Sequence, residues 1–193
     1  MFVNKAGMND LNDIADCYVK SFPKSLTSRL GKNYVCKSLE WYIKTENVFL
    51  FFIKKNSRCI GFYGGLHNDG KRLVGATSSI MRYTMYRGLI SLIFRPWLIF
   101  NNKMIKNYIL IFKNLWSKYK KNDEGKNKLK INENNKQTSL IVIGVDPDFQ
   151  GHGYGKMLLT SLEKLAEEFG NYKLQLSVEA NNENALWAYK KSG

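Results

Sequence analysis

Val145-Asp146-Pro147-Asp148-Phe149-Gln150-Gly151-His152-Gly153-Tyr154-Gly155-Lys156 joins an apolar run to an amphipathic one. Glycines at alternate positions, Gly151, Gly153 and Gly155, let the backbone bend with its N–H groups turned into one concavity. The preceding SLIVIGV (Ser139 to Val145) reads as an apolar strand interrupted by Gly144. After the glycines, Leu158, Leu162, Leu165, Ala166 and Phe169 recur at helical spacing from about Gly153 to Phe169, and Gly170-Asn171 supplies the stop. A strand, a glycine turn and a helix N-terminus together form a cradle for an anion, above all a pyrophosphate.

Two better-known phosphate loops are excluded by spelling. A Walker A loop ending at Gly155-Lys156 needs a glycine five residues before Gly155 and a hydroxyl residue after Lys156, where the chain has Gln150 and Met157. A dinucleotide-binding fingerprint starting at Gly151 needs a third glycine where Lys156 stands. Three glycines at alternate positions are a poor choice for a mere connection.

Outward from this loop, YKLQLSV (Tyr172 to Val178) alternates apolar Leu174, Leu176 and Val178 with Lys173, Gln175 and Ser177, a strand with one buried face. A last helix begins near Asn182. Upstream, FVNKA is a short strand, and Asn9 or Asp10 caps a helix carrying Leu11, Ile14, Ala15 and Tyr18 on one face. A second helix spans about Leu26 to Lys44, with Gly31 either an interior residue or a break between two pieces. VFLFFIKK (Val48 to Lys55), the turn Asn56-Ser57 and RCIGFYGGLH (Arg58 to His67) read as a hairpin. Beyond it, Ile80 to Phe100 is strongly apolar, and Met104 to Tyr119 reads as a basic amphipathic helix.

The loop Gln150-Gly151-His152-Gly153-Tyr154-Gly155 resembles the acetyl-CoA loop of the GNAT superfamily of N-acetyltransferases, Gln/Arg-x-x-Gly-x-Gly/Ala. The approach Val145-Asp146-Pro147 is similar as well. So is a second motif, Asn-x-x-Ala-x-x-x-Tyr, present as Asn182, Ala185 and Tyr189. The likeness is close from Ser139 to Gly193; upstream only the order of elements is similar.

The resemblance implies an α/β (α+β) fold: a mixed, mostly antiparallel central sheet with helices on both faces, strands four and five splayed, and a basic helical insertion between strands three and four. It implies one acetyltransferase domain over residues 1–193, with the insertion at 68–138. It also implies acetyl-CoA as cosubstrate and no metal. Backbone groups of Ile143 and Val145, flanking Gly144, would pair with pantetheine. The N–H groups of Gln150, Gly151, His152, Gly153, Tyr154, Gly155 and Lys156 would hold the pyrophosphate, and Asn182 would contact the coenzyme. Val145 N–H would polarise the thioester carbonyl and Tyr189 would protonate the departing thiolate. Gly144 is a natural bulge position on physical grounds too.

The acceptor implied is a primary amine, with an amino sugar on a nucleotide or lipid carrier, a protein N-terminus or lysine, and a small amine all open. The stretch SFPKSLTSRLG (Ser21 to Gly31) and the insertion after strand three resemble GNAT proteins of bacterial surface-polysaccharide gene sets. A non-catalytic acyl-CoA-binding module is the competing class. Many relatives place a glutamate on strand four as base; this strand has none, leaving Glu40, Glu46 and His67 as candidates. His152 faces solvent or a phosphate. Family members commonly continue with two more strands, so the resemblance predicts a longer product or a second copy covering the sheet edge.

The net charge of +14 is concentrated. Between Asn68 and Thr138 stand 15 Lys/Arg and 4 Asp/Glu, a balance of +11. No nucleic-acid-binding signature accompanies it, so no nucleic-acid partner is expected. The segment suits a lid over an anionic acceptor, peripheral contact of residues 80–121 with an anionic membrane, or a helical elaboration with a solvated basic face. Gly88 to Phe100 is too short for a transmembrane span and holds Arg95-Pro96. Cys17, Cys36 and Cys59 form no disulfide framework or zinc pattern and read as small hydrophobes. The opening residues lack a signal peptide, and a cytoplasmic location is expected.

Overall fold

A computed structural model describes residues 2–69, 76–93, 136–170 and 173–176. In chain order the elements are β1 (Val3–Lys5), α1 (Leu11–Ser21), α2 (Leu26–Arg29), α3 (Lys32–Lys44), β2 (Val48–Lys55), β3 (Arg58–Asp69), α4 (Ala76–Ile93), β4 (Lys136–Val145), α5 (Tyr154–Glu168) and β5 (Leu174–Leu176). The expected helix at Met104 to Tyr119 and the one beginning near Asn182 lie outside the described residues, as do Asn182 and Tyr189.

The strands form one sheet in the order β1-β2-β3-β4-β5. The first three pairings are antiparallel and β4–β5 is parallel. Alternation on β2 decides which face each side chain serves. Leu50 and Phe52 join Ile14, Ala15, Val35, Leu39, Tyr42 and Phe62 beneath α1 and α3. Phe49 and Ile53 turn the other way, to Tyr63, Leu140, Leu158 and Leu162 beneath α5. Helices therefore cover both faces. Each large apolar side chain fully buried in these layers contributes roughly 1.5–3 kcal/mol.

The segment expected as one helix over Leu26–Lys44 is two. Gly31 adopts φ +103°, which ends α2 and opens α3, so the glycine is the break. Asp10 does not cap α1 by its side chain; its carboxylate instead accepts the Gly7 N–H at 2.9 Å across a 3-10 turn, Met8–Asp10. The bulge on β4 also differs from expectation. Gly64 faces Val142 and Gly65 faces Leu140, so Ile141 is the extra residue, not Gly144. Gly144 has another cause: a Cβ there would stand 2.9 Å from the Phe22 ring and 3.0 Å from that of Phe62.

The inserted segment opens with α4, whose apolar residues spread around the helix and not along one stripe. It packs on α3. Tyr83 Oη donates to Glu40 at 3.0 Å, Tyr34 Oη and Thr84 Oγ1 share a hydrogen bond of 3.0 Å, and the Lys37 ammonium stands 4.7 Å from the Tyr83 ring centre.

Candidate active site

β4 leads straight into the glycine loop. Its last residue, Val145, pairs with Gly61, and the next, Asp146, donates its N–H to Ile60 O at 2.9 Å. That bond makes Gly61↔Val145 a non-hydrogen-bonded pair of the ladder. The N–H and C=O of Val145 therefore point away from β3, and by the same alternation so do those of Ile143. The polar groups of Gly144 between them face Phe62. On that outer side, the described β5 accompanies β4 only from Thr138 to Leu140. Among the described residues, Ile143 and Val145 thus present backbone groups beyond the paired stretch of β5.

The loop then makes a 3-10 turn, Pro147–Phe149, closed by the Asp146 carboxylate accepting the Asp148 N–H at 3.2 Å and the Asp146 C=O accepting the Phe149 N–H at 2.8 Å. Gly151 and Gly153 follow with φ of +78° and +84°, backbone that favours glycine. α5 begins at Tyr154, and its first backbone bond to the loop is Met157 N–H to Gly153 O at 3.0 Å. The Gln150 N–H, expected among the donors, instead goes to Pro147 O at 3.3 Å, whereas those of Gly151, His152, Gly153, Tyr154, Gly155 and Lys156 have no acceptor among the described residues. A Cβ built on Gly151, Gly153 or Gly155 meets nothing within 4 Å. Six successive donors at a helix N-terminus, with open space beside the three glycines, can hold a multiply charged anion.

The side chains around the cradle are arranged in the same compact way. Gln150 Nε2 donates to Val145 O at 3.1 Å, and His152 Nδ1 lies 2.8 Å from Gln150 O. The His152 ring stacks on that of Tyr154, with 6.3 Å between centres. His152 is exposed, as expected. Lys55 reaches from the β2 end of the hairpin to Tyr154 Oη at 3.5 Å.

One group was missed by sequence reasoning. The Asp146 side chain is 1% exposed and is held by Arg58 and, at 3.6 Å, by Lys20. Burial alone raises its pKa, but the Arg58 guanidinium, the Asp148 N–H and the Lys20 charge outweigh burial and keep it below the ordinary value. The partners lie 88 and 126 positions away in sequence. The only signal was a carboxylate ending an apolar strand.

The candidate bases fare unequally. Glu40 is locked among Lys37 at 2.7 Å, Lys44 and Tyr83. The bonds from Lys37 and Lys44 outweigh burial and lower its pKa to about 2, so it is poorly suited to accept a proton near neutral pH. Glu46 is exposed in the turn before β2. His67 stacks on Phe169 with ring centres 4.3 Å apart, at the C-terminal end of α5, whereas the cradle is at its N-terminal end. Cys17 and Cys59 are buried, and a hydrogen bond from one thiol to the other, together with burial, pushes Cys59 up, which fits their reading as small hydrophobes.

A cavity of about 380 Å³ opens on the α1–α3 side, between the α2–α3 junction (Leu30, Gly31, Lys32, Asn33) and α4 (Arg87, Ile90, Ser91). Among the described residues, no three His, Cys, Asp or Glu side chains converge as metal ligands, and no helix is long and apolar enough to cross a membrane.

Aminoglycoside 6′-N-acetyltransferase from Acinetobacter haemolyticus superposes with a TM-score of 0.58 at 11% identity, covering 100% of this chain and 90% of that one. An aminoglycoside N-acetyltransferase solved in complex with CoA does so at 0.58 and 10%, covering 100% and 86%. The fold is the GNAT fold. In sequence, residues 118–193 match the model of the acetyltransferase (GNAT) family. Mycothiol acetyltransferase of Propionibacterium freudenreichii subsp. shermanii is 39% identical over 54 residues, 28% of this chain and 17% of that protein. Ribosomal protein bS18-alanine N-acetyltransferase of Salmonella typhimurium is 42% identical over 57 residues, 30% of this chain and 38% of its own length. The chain spans well under half the length of both matched relatives.

Proposed function

We propose that the protein transfers the acetyl group of acetyl-CoA to a primary amine. The observation that carries this reading is the run of unsatisfied N–H groups from Gly151 to Lys156, set one residue-turn beyond a strand edge where Ile143 and Val145 present backbone groups outward. A diphosphate on the former, with its pantetheine arm along the latter, brings a thioester beside β4. Asn182 and Tyr189, in the second motif, supply a further coenzyme contact and the proton for the leaving thiolate. The Val145 N–H polarises the thioester carbonyl, whose developing negative charge a fixed donor stabilises. The fold neighbour solved with CoA and the N-acetyltransferases among the sequence relatives support this reading.

The acceptor enters on the α1–α3 side, where the cavity is lined by Lys32 and Arg87. Together with the balance of +11 between Asn68 and Thr138, this favours an amine bearing negative charge, such as an amino sugar on a nucleotide or lipid carrier. Peripheral contact of residues 80–121 with an anionic membrane belongs to the lipid-carrier version, as does a place on the cytoplasmic face of a bacterial membrane. Pairing of two copies remains part of this proposal.

One observation favours a second reading, an acyl-CoA-binding module without turnover: β4 carries no carboxylate or histidine, and Glu40 is held in ion pairs. Thiol release from acetyl-CoA across a panel of amino sugars, sugar nucleotides and peptides separates the two. Amine-dependent release supports the transferase. Tight coenzyme binding with no release from any amine supports the module.

A further inference from the structure

The loop that presents the free N–H groups is itself held by one buried carboxylate. Asp146 Oδ2 receives Arg58 from the start of β3 and Lys20 from the end of α1, while Oδ1 receives the Asp148 N–H. Three elements distant in sequence meet at one side chain. Burying that charge is unfavourable unless cations and N–H donors surround it, and here both do.

Arg58 does more than neutralise Asp146. It reaches Asp148 at 3.4 Å, and its guanidinium lies 5.7 Å from the Phe149 ring centre. Phe149 in turn contacts Tyr154, the first residue of α5, edge-on at 6.3 Å. The series Asp146, Arg58, Phe149, Tyr154 therefore runs from the entry of the loop to the helix that closes it. Without Arg58, Asp148 would lose this ion pair and Asp146 would keep only Lys20 as a cation, in the loop whose donors are to receive an anion.

We propose that the Asp146–Arg58 pair, assisted by Lys20, positions the Gly151–Lys156 donors for the coenzyme's diphosphate, with Arg58 also offsetting the negative charge of the loop's own carboxylates. Asp146 and Arg58 are positioning residues and touch no reacting atom. The inference rests on the coenzyme reading above.

Asp146→Asn keeps the side-chain shape and an acceptor for the Asp148 N–H but removes the charge that holds Arg58 and Lys20. Its dissociation constant for acetyl-CoA, measured by calorimetry well below the unfolding midpoint, should rise at least about tenfold, the scale of one lost charged hydrogen bond. The KM for acetyl-CoA should rise in parallel, with kcat at saturating coenzyme little changed. A merely structural pair would lower the unfolding midpoint and leave the affinity of the folded protein intact. Arg58→Gln should weaken binding likewise, and Arg58→Lys should restore part of the loss. Lys20→Met, at a side chain 45% exposed, gives a smaller rise in a variant that retains the fold. Wild-type binding with unchanged affinity in folded Asp146→Asn, or in Arg58→Gln and Lys20→Met should the first not fold, overturns the inference alone. No binding of acetyl-CoA by the wild type overturns the coenzyme reading and this inference together.

Discussion

Phe22 lies so close to Gly144 that a methyl group on the glycine would stand 2.9 Å from the ring's Cε2. This contact joins the end of α1 to the end of β4, between the two residues whose backbone groups face outward. Gly144→Ala should therefore destabilise the fold by about 1–3 kcal/mol through overpacking. Urea unfolding measures this, and Phe22→Leu in the same chain should recover part of the loss. A Gly144→Ala variant as stable as wild type would mean that Phe22 moves aside freely.

Gly153 has open space where a side chain would go, but its φ of +84° is strained for any β-branched residue. Gly153→Val should cost about 1–2 kcal/mol of stability. It should also re-aim the N–H groups on either side. Calorimetry is expected to show acetyl-CoA binding weakened at least about tenfold, an energy of 1.4 kcal/mol, in a protein that remains folded. Binding like wild type would place the coenzyme elsewhere.

Glu40 ties α3 to α4 through Lys37, Lys44 and Tyr83. Its folded pKa of about 2 lies below the unfolded value, so its stabilisation is full above the unfolded pKa and is lost as pH falls toward about 2. Glu40→Gln should cost about 1 kcal/mol near neutral pH, and the difference from wild type should shrink progressively below pH of about 4. Thermal unfolding across that range reads it. Turnover per folded molecule should be unaffected near neutral pH; a large loss there would restore Glu40 as a base.

Tyr189→Phe removes only the hydroxyl assigned to the leaving thiolate. It should lower kcat on the order of 10²-fold while sparing coenzyme affinity. Steady-state kinetics beside calorimetry distinguish this from a packing role, in which turnover would stay near wild type.

Much of this framework was legible in the sequence because period and punctuation agreed there. The apolar run Val48–Lys55, the turn Asn56-Ser57 and its partner Arg58–His67 correspond to β2 and β3, the stripe Leu158, Leu162, Ala166 corresponds to α5, and the glycine spacing marked the loop between β4 and α5. Gly31 and Gly144 show the limit. A glycine has several reasons to exist, and only three-dimensional neighbours separate a helix break at φ +103° from a close ring approach. The bulge at Ile141 left no trace, since any apolar residue of the strand could carry it. The Lys20–Asp146–Arg58 junction was equally silent, because ion pairs between distant elements have no period. α4 escaped a clean reading because its apolar residues cover more than one face.

The central claim is that the N–H groups from Gly151 to Lys156 receive the coenzyme's diphosphate. Titrating isotopically labelled protein with acetyl-CoA, and following the backbone amide resonances, tests it at those atoms. The largest and saturable shifts should fall on Gly151, His152, Gly153, Tyr154, Gly155 and Lys156, with smaller ones at Ile143 and Val145. Saturable binding that leaves these resonances in place, or no binding at all, would contradict the account.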